Sequence, residues 1–389
     1  MKTTGSALTV GIVANEPSGD LLGAALVREL RELIPDARFV GVAGPRMQEA
    51  GCETLFAMER LSVMGLTEVL GHLRELLGLR ADLRRYFLAH RPAVFIGVDA
   101  PDFNLGLERR LREAGIKTVH LVSPTVWAWR PGRVKGIRRA VDLMLSVFPF
   151  EETFLRQHGV PATYVGHPLA DEIPLKVDRD AARARLGLPP NSPVIALLPG
   201  SRVGEMQRLA APFIDAARLC LTARPDLRFV VPLVTASLRA RFEAELARRA
   251  PGLPVILMDG RSRDAIAAAD CVLTASGTAT LETLLLKRPM VVAYRIHPLT
   301  YRLVKQFDLI KVPYIAMANL LAGRALAPEF IQDRCRAELL APALLDFLDD
   351  PERVAGIQDD YGRIHRELRR QAAREAARAI LWLIGQQTA

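Results

Sequence analysis

The chain has 389 residues, enough for two or three domains at roughly 150 residues each. Half of the residues are hydrophobic and 24% are charged, which excludes a wholly disordered chain; aromatics are only 6%, so core volume comes from Leu, Val, Ile and Ala, as in parallel α/β sheets. The formal charge of +9 asks for an anionic partner (nucleic acid, nucleotide phosphate or anionic lipid) without choosing among them.

Residues 1–7 lack the charged start, apolar stretch and cleavage site of a signal peptide. No run of about 18 uncharged apolar residues exists, so no membrane span is expected. Cys52, Cys220, Cys271 and Cys335 are far apart in sequence, which gives no CxxC pair and fits a reducing cytoplasm. Leu8–Val13 reads as a strand, followed by a Gly/Pro/Ser loop and a helix from Asp20 to about Leu33. Phe39–Val42, Val94–Val98, Thr118–Val122 and Leu143–Val147 read as further strands. The stretch from His167 to Pro193 holds five prolines and several charges, the composition of a connector. A second series follows at Val194–Leu198, Phe229–Pro232, Val255–Met258, Cys271–Thr274 and Met290–Ala293, with helices such as Met206–Leu221 and Leu238–Arg249 between. This is a βαβ rhythm given twice. A long helical segment, Arg353–Gly385, ends the chain with no strand after it. The domain boundary is therefore expected near residue 170, with domains over 1–170 and 171–359.

Ligands of open α/β sheets bind at the carboxyl ends of the strands. Five segments at strand ends carry candidate chemistry. Asn15-Glu16-Pro17-Ser18-Gly19-Asp20 follows the first strand; Glu16, Ser18, Gly19 and Asp20 are candidates for a crevice, although Asp20 is also an ordinary helix cap and Gly19 an ordinary turn residue. Asp99 and Asp102 end the very apolar strand Val94–Val98. Either carboxylate can act as a general base; Asp102 doubles as a helix cap, so Asp99 is favoured. Ser123-Pro124-Thr125-Val126-Trp127-Ala128-Trp129 carries two of the three tryptophans, with Arg133, Lys135, Arg138 and Arg139 following. Trp127 is the candidate contact for a sugar or acyl chain, against interdomain packing as the alternative.

In the second half, Leu198-Pro199-Gly200-Ser201-Arg202 has the strand–small turn–helix layout of a phosphate site, with Arg202 to neutralise a diphosphate. Ser276, Gly277, Thr278 and Ala279 repeat that layout after Cys271–Thr274. Neither is a Walker loop, and no GxGxxG fingerprint occurs. No metal-ligand cluster or DxD pair appears, so no metal or cofactor is expected. His167 reads as a packing or hinge histidine. In Val63–Leu79, Leu66, Leu70, Leu73 and Leu77 recur at helical spacing, widened by Val69 and Leu76. This stripe is either core or a surface that dips into a membrane interface, with Arg74, Arg80, Arg84 and Arg85 meeting anionic headgroups.

Together these segments resemble the lipid-A-disaccharide synthase family. The matching elements are Glu16, Ser18-Gly19-Asp20, Gly41-Val42-Ala43-Gly44-Pro45-Arg46-Met47, Val98–Asn104, Ser123-Pro124, Val126–Trp129, Leu198–Arg202, Ser276–Ala279 and Asn319-Leu320-Leu321-Ala322-Gly323. They run through nearly the whole chain. Asn15 departs from the pattern, which has Gly before the Glu. The resemblance implies an α/β fold of two Rossmann-like domains facing across a cleft, the GT-B type of glycosyltransferase architecture, with the final helix, about residues 360–389, packing back on the first domain. It implies transfer of 2,3-diacylglucosamine from UDP-2,3-diacylglucosamine to 2,3-diacylglucosamine 1-phosphate (lipid X), with inversion and a β-1,6 linkage. Asn319 and Glu329 would then line the nucleotide–sugar side, Glu329 at the ribose. It implies a cytoplasmic enzyme peripherally attached to the inner-membrane surface. A homodimer is compatible with the sequence, which does not determine the oligomeric state.

Two other readings remain at this stage. Another UDP-sugar enzyme on the same architecture, such as a UDP-N-acetylglucosamine 2-epimerase, shares the fold. A nucleic-acid-binding protein fits the basic charge, but no binding motif appears and the basic residues are spread over many elements, so no nucleic-acid partner is expected.

Overall fold

The computed structural model describes residues 8–61, 66–129, 131–306 and 312–385; at 66–73, 129, 131, 299, 303 and 304 it describes the backbone alone. The chain packs as two units, residues 1–171 with 368–389, and 172–367. Each is built on one parallel sheet with helices on both faces.

The first sheet holds β1 (Thr9–Ala14), β2 (Arg38–Val42), β3 (Cys52–Thr54), β4 (Val94–Val98), β5 (Lys117–Leu121), β6 (Leu143–Ser146) and β7 (Ala162–Tyr164), in the order β3-β2-β1-β4-β5-β6-β7. The second holds β8 (Val194–Leu198), β9 (Arg228–Leu233), β10 (Val255–Asp259), β11 (Cys271–Ala275), β12 (Met290–Tyr294) and β13 (Glu329–Ile331), in the order β10-β9-β8-β11-β12-β13. In both, order reverses beside the first strand, so β1 neighbours β4 and β8 neighbours β11. Such a reversal opens a crevice at the carboxyl ends of the two strands. Central strands such as β4 and β8 are buried on both faces, which is why they read as unbroken apolar runs.

The first helix starts at Pro17, not Asp20. Proline fits the first helical position because its missing N–H would have no partner there. The connector expected from 167 to 193 contains the helices Pro168–Glu172 and Arg179–Leu186. The long final segment is two helices, Pro351–Leu368 and Ala372–Leu383, with Gln371 in a left-handed conformation at the start of the second. That last helix buries Ala376, Ala377, Ile380 and Leu381 in the core that Leu26, Val27 and Leu30 share with β1 and β4.

Candidate active site

In the first unit the ends of β1, β4 and β5 converge. Asp99 and Ala100, just past β4, have φ of 53° and 43°, and Val122, just past β5, has φ of 79°. Left-handed backbone is unfavourable for a side chain with a Cβ and more so for a β-branched one. The turn is held by long-range bonds: Asp99 N donates to Leu121 O at 2.9 Å and Val122 N to Leu145 O at 3.0 Å. Asn104 Nδ2 donates to Asp99 O at 2.8 Å and to Asn15 Oδ1 at 3.4 Å. Asn15, the departure from the expected glycine, thus joins the clamp on the β4 turn. Asp99, Ser123, Thr125 and Arg133 line a cavity of about 300 Å³. Asp102 is 85% exposed and paired with Arg133, so it caps no helix; the first helical turn after β4 starts from Ala100.

Below this turn lies a polar layer that sequence reasoning missed. Glu108 and His120 are fully buried, with Glu108 Oε1 and His120 Nδ1 2.7 Å apart. Burial pushes the Glu108 carboxyl up. Gly97 makes room for it: a Cβ there would fall 2.0 Å from Glu108 Oε1. A signal existed, since Asn104 and Glu108 sit four residues apart on the apolar face of helix Pro101–Glu113, among Phe103, Leu107 and Leu111.

The candidates after β1 divide. Glu16 and Ser18 are exposed, and Gly19 packs against the end of β4, where a Cβ would stand 3.5 Å from Val98 O. Asp20 is buried and caps a different helix from the one expected. Its two oxygens take the N–H groups of Arg46 and Met47, each at 3.0 Å, at the start of Pro45–Glu49. Trp127 is half-buried; its Nε1 donates to Glu151 Oε1 at 3.1 Å and its ring meets Phe150 edge-on. Glu151 also takes the N–H groups of Val147 and Phe148, and burial pushes it up to about 7. His167 packs against Phe148 and accepts the Leu169 N–H, a packing role.

In the second unit the turns after β8 and β11 line one cavity of about 330 Å³, with Gly200, Ser201, Arg202, Ser276, Gly277, Thr278 and Ala279 in its wall. Gly200 and Gly277 have φ of 110° and 146°, backbone that side chains rarely adopt. The turn after β8 does not present free amides as expected. Glu205 Oε2 takes the N–H of Ser201 at 3.0 Å and of Arg202 at 3.3 Å, leaving the Arg202 side chain 85% exposed. Helix Thr278–Leu285 therefore offers the clearer anion site, at its positive end. Asn319 is fully buried: Oδ1 takes the N–H groups of Leu326 and Ala327, and Nδ2 donates to Ala327 O and Glu329 Oε1. Glu329 also takes the N–H groups of Ile315 and Ala316, while Ser276 Oγ donates to Ile315 O. Asn319 and Glu329 thus hold the segment beside Ser276. A larger cavity, about 520 Å³ and lined by Arg183, Asp270 and Arg288, lies at the opposite, amino-terminal edge of the sheet.

Of the stripe expected at the membrane, Leu66, Val69, Leu70 and Leu73 lie outside the described side chains, within the backbone helix Leu66–His90. Leu77 is 50% exposed, whereas Leu76 packs against the core formed by Leu79, Leu83 and Phe87.

Two parallel-sheet α/β units, each with its order reversed beside the first strand, have the GT-B architecture that glycosyltransferases and UDP-sugar epimerases share. A solved UDP-N-acetylglucosamine 2-epimerase from Listeria monocytogenes shares the fold, with a TM-score of 0.61 and 14% identity over 97% of this chain and 96% of its own. The sequence model of lipid-A-disaccharide synthetase matches residues 10–383. Lipid-A-disaccharide synthases of Pseudomonas aeruginosa and Azotobacter vinelandii are 55% and 56% identical over 377 and 379 residues, 97% of this chain and 98% of each relative. The chain belongs to the lipid-A-disaccharide synthetase family.

Proposed function

We propose that the chain transfers 2,3-diacylglucosamine from UDP-2,3-diacylglucosamine to the 6-hydroxyl of lipid X, giving the β-1,6-linked disaccharide 1-phosphate and UDP. In a chain of this family, the observation that carries the reading is Asp99: an accessible carboxylate on a strained, clamped turn at the crevice end of β4. Strain of this kind persists where the surroundings hold a group in one geometry, and it clusters at reacting centres. The acceptor O6 attacks the donor C1 opposite the leaving diphosphate. The C1–O bond to phosphate breaks and its electron pair leaves on UDP, so the configuration inverts. Asp99 takes the O6 proton. The transition state has oxocarbenium character, as in glycoside chemistry. Arg202 and the start of helix Thr278–Leu285 face the charge that builds on UDP.

Incubation with both substrates should yield disaccharide and UDP in equal amounts. Asp99→Asn should lower kcat by about 10²-fold or more, the scale of a lost general base, with UDP affinity unchanged. Near-normal turnover would move the base role to Asp102, whose exposure and pairing with Arg133 suit it less. We further infer attachment to the cytoplasmic face of the inner membrane. Acyl chains on both substrates and the net charge of +9 support it. Among the described residues no helix is long and apolar enough to cross a membrane.

A further inference from the structure

Arg80, on helix Leu66–His90, reaches over helix Pro101–Glu113, where its guanidinium carbon lies 5.3 Å from the Phe103 ring centroid. Its Nε is buried without a hydrogen-bond partner, and burial lowers its pKa. Gly106 lies beneath it: a Cβ there would fall 2.3 Å from Arg80 Nη1. A glycine inside a helix is unfavourable in itself, and here it leaves the guanidinium its place.

Arg80, Gly106, Arg109, Arg110 and Arg133 wall a cavity of about 490 Å³ in which, among the described residues, Asp102, engaged by Arg133, is the single acid. Arg109 and Arg110 share Glu113, just outside it. Counting both carboxylates, the wall keeps an excess of two positive charges. A sugar phosphate carries about −1.5 to −2 near neutral pH. The cavity also shares Pro101, Asp102, Pro124, Val126 and Arg133 with the one that contains Asp99. The two cavities therefore adjoin, and a molecule with its anionic end here has Asp99 within reach of its other end.

We propose that this arginine pocket binds the 1-phosphate of the acceptor, with Arg80 as its specificity-determining contact. The assignment rests on the reaction proposed above, in which the acceptor sugar carries a phosphate and the transferred sugar does not. The phosphate of an anionic lipid headgroup has the same chemistry, and the test separates the two sources.

Wild type, Arg80→Met and Gly106→Ala are assayed at fixed donor with lipid X and with the same diacylglucosamine lacking its phosphate. Wild type should prefer lipid X in kcat/KM. Arg80→Met should cut that preference by about 10- to 100-fold, the range for a charge-assisted contact, mainly through KM. Gly106→Ala puts the best helix former in place of glycine, so it keeps the fold; by displacing the guanidinium it should narrow the preference in the same way. Equal losses with both acceptors indicate a structural role and overturn the proposal, as does a preference kept in both variants. Cosedimentation with phosphatidylglycerol vesicles, substrate absent, should be the same for all three proteins. Weaker vesicle binding with the acceptor preference intact assigns the pocket to a headgroup and overturns the proposal. If wild type transfers sugar to neither acceptor, the reaction itself fails and the subsite with it. Transfer by wild type with unchanged preference in the variants removes the subsite alone.

Discussion

Three non-glycine residues, Asp99, Ala100 and Val122, hold positive φ at the ends of two adjacent strands. At about 1–3 kcal/mol each, such backbone persists only where neighbours over-determine it. Here Asn104, Asn15 and the Leu121 and Leu145 carbonyls do so. Asp20 and Glu205 show the opposite case: one belongs to a candidate ligand segment and the other to the helix that follows one, yet each spends its carboxylate on backbone N–H groups of the protein. In the β8 turn the Arg202 guanidinium is largely exposed, 3.8 Å from Glu205 Oε1. Arg202→Ala is expected to weaken UDP binding by roughly 1.5–3 kcal/mol, the worth of charge-assisted bonds to a diphosphate. Calorimetry with UDP checks it, and equal affinities remove Arg202 from the site.

The helix Leu66–His90 serves two surfaces. Leu76, Leu79, Leu83 and Phe87 face the core, while Leu77 is exposed. Leu76, expected in a stripe at the membrane, packs on the core instead. Leu66→Ser with Leu70→Ser should reduce binding to anionic liposomes while leaving thermal unfolding and UDP affinity as in wild type. Unfolding at a lower temperature, or undiminished liposome binding, would place the stripe in the core.

Across the whole molecule, stability depends on buried titrating groups as well as apolar packing. Burial raises Glu151 from 4.5 to about 7, although three N–H donors oppose the shift. Folding therefore favours its protonated form. The stability it contributes is complete below about 4.5 and is lost as pH rises through about 7. By linkage the change is on the order of 3 kcal/mol. Urea unfolding of wild type and Glu151→Gln between pH 5 and 8 tests this. Wild type should lose stability relative to the variant over that range, and parallel pH profiles would show that Glu151 does not titrate near 7.

Much of the architecture was legible in the residues alone, because β4, β8 and their neighbours are buried on both faces and so must be continuously apolar. The order of the motifs likewise pointed to the family before any contact was known. The three-residue strands β3, β7 and β13 were not legible, since they are too short to show a period. Nor were the partners of the polar side chains. Asp20 meets a helix start 26 residues on, Asn104 reaches Asn15 across 89 residues, and Trp127 finds Glu151 through 24. Apolar periodicity is written locally because burial acts on one helix or strand at a time. Which carboxylate is left free for a substrate depends on hydrogen bonds between distant segments, and only the packed chain brings those segments together.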